Sequence, residues 1–336
     1  MTQAVNIAQG GSNNVTMRNR IINGAMAIDQ RNAGASVTPS AIGYTLDRWR
    51  ASFDQASKFS VQQTPSATET GYAVRVAAGF SNYLAITSTS SYTVGSGEQF
   101  TIAQRIEGLN VSDLAWGTSD AKTITLSFLV RSSLTGTFSG ALQNSTQTRS
   151  YPFTYTINSA NTWEQKTITI AGDTTGTWLT TNGVGINMSF CIGGNGSPLG
   201  TANTWQAADY KGATGTTNVV STSGATFYIT GVQLEKGTAA TPFEQRLYGQ
   251  ELALCQRYYQ ARSGTQLSAT RGYQSDVSVR LNIFLTVPMR AAPSVIATAV
   301  GWSSGPSLSS ITDYVFASGN SSSEAYLTAY TATAEL

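Results

Sequence analysis

The stretch "FYITGVQLEKGTAATPFEQRLYGQELALCQRYYQ", Phe227 to Gln260, joins two kinds of chain. Its first part, Phe227 to Leu234, is apolar and β-branched and reads as a strand, the last of the domain before it. Pro242 stops it. Its second part places Phe243, Leu247, Leu252, Leu254, Cys255 and Tyr258 at a roughly helical spacing, broken once by Gly249. The spacing predicts a short helical junction that packs back on the preceding domain and aims the distal one.

Upstream, short alternating segments recur from Arg48 onward: "KFSVQQ", "YAVRVAA", "NYLAIT", "FTIAQRIEG", "KTITLSFLVRS", "FTYTIN", "EQKTITIAG", "VGINMSFCIGG" and "ATFYITGVQLE". They are rich in β-branched and aromatic residues and are separated by Gly, Asn, Ser or Asp. Eight or nine strands of this kind predict a two-sheet antiparallel sandwich, each sheet with one face on the core and one toward water. In "KTITLSFLVRS" the core face would be Ile124, Leu126, Phe128 and Val130, with Thr125 and Ser127 pointing away. Downstream of Ser263 a second β-rich set begins, in which Val277, Val279, Leu281, Ile283 and Leu285 alternate. A domain that small has little core and leans on neighbours or associates with copies. At the other end, the polar residues up to about Met17 bury little by themselves, and "NRIINGAMAIDQRNAG", Asn19 to Gly34, suggests a tight turn.

Composition removes several functions. The 336 residues are 40% hydrophobic, so a packed core is available. Only 11% are charged, Lys+Arg 20 nearly balances Asp+Glu 18, and no cationic cluster offers a grip on nucleic acid. With no histidine, Ser/His/Asp and Cys/His nucleophiles and imidazole metal sites are excluded. Cys191 and Cys255 sit among apolar neighbours and are expected as buried thiols. No apolar run approaches the roughly 18 residues of a membrane span, and the first twenty residues lack the apolar core of a signal peptide.

Three stretches carry a resemblance. "NRIINGAMAIDQRNAG" with "YTLDRW" (Tyr44 to Trp49), "TWEQKTITIAGDTTGTW" (Thr162 to Trp178), and the junction quoted first are similar to modules of tail fibres and receptor-binding appendages of tailed bacteriophages. The middle of the chain also resembles carbohydrate-binding modules of the family 4/9/22 type, jelly rolls that often end in a strand matched here by Val232 to Glu244. The resemblance covers about residues 19 to 260. It implies an all-β protein: a virion-docking arm and motif (1–46), a jelly-roll β-sandwich (47–242), the helical junction (243–262) and a small C-terminal β domain (263–336). It also implies a homotrimer on the virion, joined to other virion proteins near the N-terminus and meeting a glycan of the host surface.

Sugar recognition in water requires aromatic faces for the apolar side of a pyranose and planar polar groups for its hydroxyls. "DLAWGTSD", "TTGTWLTTNG" and "NTWQAADYKG" carry Trp116, Trp178, Trp205 and Tyr210 in loop-like contexts, with Asn182, Gln206, Asp209 and Lys211 as hydrogen-bonding neighbours. Trp49 and Trp163 are expected in the scaffold. No Asp-x-Asp-x-Asp calcium loop occurs, and no metal or cofactor is expected. Glycoside cleavage requires two carboxylates across one bond. Asp113 with Asp120, or Asp209 with Glu235, are the pairs available, yet carboxylates are few and lie at turns and strand ends. The expectation is therefore a non-enzymatic adhesin. The alternatives are a head or tail decoration protein of the same fold that cements neighbours, and a surface-glycan hydrolase.

Overall fold

The computed structural model describes residues 17–65, 79–271, 277–302 and 305–336. The first sixteen residues of the expected arm and the "YAVRVAA" segment lie outside them. In chain order the elements are β1 (Gly43–Leu46), β2 (Trp49–Phe53), β3 (Phe59–Pro65), β4 (Asn82–Ser88), β5 (Gln99–Glu107), β6 (Ile124–Ser132), β7 (Gly136–Gln143), β8 (Ser150–Ile157) and β9 (Glu164–Ile170). Next come β10 (Val184–Gly194), β11 (Leu199–Gly200), β12 (Gly212–Ala213), β13 (Thr226–Lys236), helix α1 (Tyr248–Gln256), β14 (Tyr259–Arg271), β15 (Val277–Phe284), β16 (Ser294–Trp302), β17 (Ser307–Ser310) and β18 (Tyr314–Thr333).

Two antiparallel sheets form the jelly-roll sandwich: a six-stranded one ordered β1-β2-β5-β10-β7-β8 and a five-stranded one ordered β3-β4-β13-β6-β9. Alternate residues from both meet in one core, with Trp49, Phe100, Phe138, Phe153 and Phe190 from the first and Phe59, Leu84, Phe128, Phe227 and Ile229 from the second. Phe128 and Phe190 touch edge to face across the layers, their centroids 5.0 Å apart. The strand quoted first is central, hydrogen-bonded to β4 on one side and β6 on the other, so nearly all of it is buried.

Two features depart from the alternating pattern. Thr125 and Ser127, expected at water, are buried, because the chain beyond β13 crosses over them: Thr125 Oγ1 donates to the Gly237 carbonyl at 3.0 Å. Strand β7, "GTFSGALQ", has no strong strand signature. Its Gly140 is required by packing, since a Cβ there would lie 2.4 Å from the Phe153 ring and 2.1 Å from the Ser189 carbonyl oxygen.

From Asn19 onward, the residues assigned to a docking motif are built into the sandwich. Ile21 and Met26 join its core. The Asn19 side chain donates to the Val232 carbonyl and accepts from the Leu234 amide, both at 3.0 Å, while Gln104 Nε2 and Oε1 bind the Ile22 carbonyl and amide. Asn23, in the left-handed region at φ 59°, forms the expected turn and accepts the Trp49 indole N–H at 3.0 Å.

The helical junction is shorter than its assigned span, because Tyr259 already begins β14. Helix α1 buries Cys255 and packs with Ile22, Ile28 and Tyr258, leaving Leu247 and Tyr248 exposed. Both cysteines are free and buried, and burial pushes the Cys191 thiol up to about 11. Beyond α1 lies a single sheet around the long β18, with β14 and β16 along its second half and β15 and β17 along its first. Leu281, Ile283, Leu285, Val315 and Leu327 form its small core, while Phe284 and Ile296 are exposed. The chain then returns to the sandwich. Glu335 is paired with the buried Arg48 and with Arg31, and Arg257 and the Tyr258 hydroxyl bind Glu107 at the end of β5.

Candidate functional site

On the six-stranded sheet the core takes Trp49, Ala51 and Phe53 of β2, Phe100 and Ile102 of β5, Met188, Phe190 and Ile192 of β10, and Phe138 and Leu142 of β7. Period-two alternation therefore turns the other set outward: Arg50 and Ser52, Thr101, Ala103 and Arg105, Asn187 and Ser189, Ala141 and Gln143. The chain between β10 and β13 folds back over part of this face and pairs β11 with β12, with Gly212 close against Ser139 and Cys191.

What stays open is a groove of about 750 Å³. One wall is Arg50, Ser52, Asp54, Gln99 and Arg105 of the sheet; the other is Asp209, Tyr210 and Lys211 of the returning loop. Beside it lies a hydrogen-bonded network. Asn187 Nδ2 donates to Gln143 Oε1 at 2.9 Å, Gln143 Nε2 donates to Asp209, and the Lys211 ammonium reaches Asp209 at 2.7 Å. The Tyr210 ring rests on Gly200, where a Cβ would come within 2.4 Å of it, so this glycine sets where the ring stands. Burial and the neighbouring Arg105 charge both push the Arg50 pKa down. Side-chain amides, guanidinium groups and a half-exposed aromatic ring in one open groove suit a hydroxyl-rich ligand.

Of the expected residues, Asp209, Tyr210 and Lys211 line this groove. Trp116, Trp178 and Trp205 instead meet one another edge to face, at centroid separations of 4.7, 5.3 and 5.5 Å, and Tyr151 adds a contact at 5.1 Å to Trp205. Their indole N–H groups are already bonded: Trp116 to the Lys122 carbonyl, Trp205 to the Ala171 carbonyl, both at 2.8 Å, and Trp178 to Asp173 and the Thr175 carbonyl. Asp173 is buried and held bidentately by Arg149 at 2.6 and 2.9 Å. Burial works against its charge, but the hydrogen bonds from Arg149 and Thr175 outweigh it and hold the carboxyl below the usual range. Gln206 is turned to its own loop, donating to the Thr201 carbonyl at 2.8 Å. Asn182 stands apart, its carbonyl accepting from Arg290.

Sequence reasoning missed Arg50, Arg105, Gln143 and Asn187. Their signal was present as polar side chains between inward apolar ones. Which sheet face stays uncovered, however, depends on where the β10–β13 chain lies. Trp49 and Trp163 are buried, as their scaffold reading expected.

Of the carboxylate pairs considered for glycoside cleavage, Asp209 and Glu235 do not face each other. Glu235 is buried on the five-stranded sheet, bound to Gln233 and Thr241, whereas Asp209 lies on the opposite sheet's groove. Asp113 is held by Arg20 and Lys236 at 2.9 and 2.8 Å. Among the described residues no group of three or more Asp, Glu or Cys is placed to hold a metal ion, and no helix is long and apolar enough to cross a membrane.

No protein-family model matches the sequence, and no curated protein is similar to it. Among solved structures, the chain is similar to the enzymatically active domain of tailspike protein 4 of bacteriophage CBA120, at 11% identity and a TM-score of 0.34, over 66% of this chain and 22% of that one. It is similar to the module TmCBM61 in complex with β-1,4-galactotriose, at 10% identity and a TM-score of 0.31, over 66% and 99%. It is also similar to a family 11 carbohydrate-binding module from Clostridium thermocellum, at 11% identity and a TM-score of 0.29, over 57% and 89%. Likenesses this distant say nothing about what the groove holds.

Proposed function

We propose that this protein is an adhesin of a tailed-bacteriophage appendage that binds a glycan of the host surface in the groove of the six-stranded sheet. The observation that carries the glycan reading is the groove itself, an open polar trough on a rigid sheet with Tyr210 on one wall and fixed hydrogen-bonding groups on both. The phage assignment rests on the sequence resemblance over residues 19 to 260. Under this reading the protein binds and leaves the polymer intact, because the groove's two carboxylates are engaged: Asp209 with Gln143 and Lys211, Asp54 with the Gln99 amide at 2.7 Å. A homotrimer fits the same reading, since three copies multiply a weak contact through effective concentration.

The test offers purified protein to a panel of immobilised bacterial surface polysaccharides, with Tyr210→Ala alongside and the oligomer's mass measured by light scattering. Saturable binding, competed by soluble polysaccharide and weakened in a folded Tyr210→Ala variant, supports the adhesin. Failure to bind any polysaccharide, together with tight attachment to particles lacking this chain, replaces it with the cementing role. Release of new reducing ends from a bound polysaccharide points to the hydrolase.

A further inference from the structure

We infer that the glycan taken by this groove is acidic, its carboxylate, sulfate or phosphate group held by Arg50 beside Arg105. This rests on reading the groove as a glycan site, and it adds the chemical class of the ligand.

The argument begins with what Arg50 lacks. It is half-buried on β2 and lines the groove, and its side chain has no hydrogen bond or ion pair among the described residues. The other charges there are engaged: Lys211 with Asp209 at 2.7 Å, Asp54 with the Gln99 amide, and Arg105 with a main-chain oxygen of Leu336 at 2.7 Å. Elsewhere Arg31, Arg48, Arg149, Arg246 and Arg257 each have a carboxylate within ion-pair distance. Asp54, just past the end of β2, is four residues further on, about 13 Å away at the rise of a strand.

The register then places a second cation at its side. Arg50 pairs with Ala103, so Arg105, two residues along β5 on the same face, is its diagonal neighbour. At that spacing, about 7–8 Å between backbones, long side chains meet, and like charges repel. Burial and, after it, the Arg105 charge lower the Arg50 pKa, with Tyr44 working the other way. An anion between the two guanidinium forks would relieve both effects, and guanidinium is well shaped for an oxyanion. Neighbouring amide and ring groups would engage the rest of the sugar.

The test uses the full chain on an array of oligosaccharides bearing uronate, sulfate or phosphate, each beside a neutral counterpart, the uronates also after carboxyl reduction. Binding is expected to the acidic members only, to weaken as salt is raised, and to fall roughly ten- to hundredfold in Arg50→Gln, the range for a charge-assisted bond. Arg50→Lys, which keeps the charge without the fork, should retain part of the affinity. The melting temperature of Arg50→Gln should equal or exceed the parent's, because the repulsion from Arg105 is removed. The acid group that binds identifies the source of the anion. Equal binding to neutral counterparts, or full affinity in Arg50→Gln, overturns the inference and leaves the glycan reading standing. No binding to any glycan by folded protein defeats that reading, and the inference with it.

Discussion

The tryptophan cluster and the arginine groove draw on the same returning loop, which places Trp205 in one and Tyr210 in the other, yet they differ in what is left unpaired. In the cluster each indole N–H has an acceptor and the rings meet edge to face, over an Asp173 carboxylate held by Arg149. In the groove a half-buried guanidinium has no partner and a tyrosine ring stands half-exposed on a glycine. Aromatic content alone therefore does not mark a binding face, since the three tryptophan rings are taken up by packing.

Four substitutions would break or sharpen this contrast. Trp116→Ala should have the largest effect, a loss of about 3–5 kcal/mol in stability by denaturant unfolding, since a nearly buried ring and its hydrogen bond both go. The glycan affinity of the folded fraction should be unchanged, and a stable variant that no longer binds would move the site to the tryptophans. Asp173→Asn should cost about 2 kcal/mol, because the bidentate pair with Arg149 is lost. A carboxyl held below its usual range stabilises the fold above its unfolded pKa, and that contribution is lost as pH falls through the folded value. The melting temperature of the parent should therefore drop in acid more steeply than that of Asp173→Asn. Equal acid slopes would mean that Arg149 does not hold the carboxylate in solution.

On the groove side, Tyr210→Ala should weaken glycan binding about tenfold with a small change in melting temperature. Calorimetric titration checks this, and intact affinity would remove the ring from the site. Gly200→Ala should give the smallest effect, a few-fold loss of affinity, because the added methyl would lie 2.4 Å from the Tyr210 ring and must tilt it. Unchanged affinity there would show that the ring's position does not matter.

Much of the sandwich was legible as alternation. The segments containing β3, β4, β5, β6, β8, β9, β10 and β13 all show it, since a sheet with one face on a core must repeat every second residue. Strand β7 was not, because its Gly and Ser residues are dictated by Phe153 and the neighbouring backbone, contacts distant in sequence. Strand β14 was partly hidden inside the run assigned to the junction, where helical and extended patterns overlap. The candidate groove was half legible: Asp209, Tyr210 and Lys211, which line it, are an adjacent aromatic and polar group on one loop, but Arg50, Arg105 and the neighbouring Gln143 come from three separate strands.

By itself, then, the sequence determined local preference: β-rich segments with an inward and an outward set, a helical junction, two buried thiols, and no histidine chemistry. Only the tertiary structure decided that the residues after Asn19 complete the sandwich, that three tryptophans satisfy one another, and that Arg50 stands unpaired beside Arg105. The reason is physical. Periodicity comes from each residue's own backbone geometry and is written locally, whereas pairing and exposure depend on which strands become neighbours and which face the connecting chain leaves uncovered.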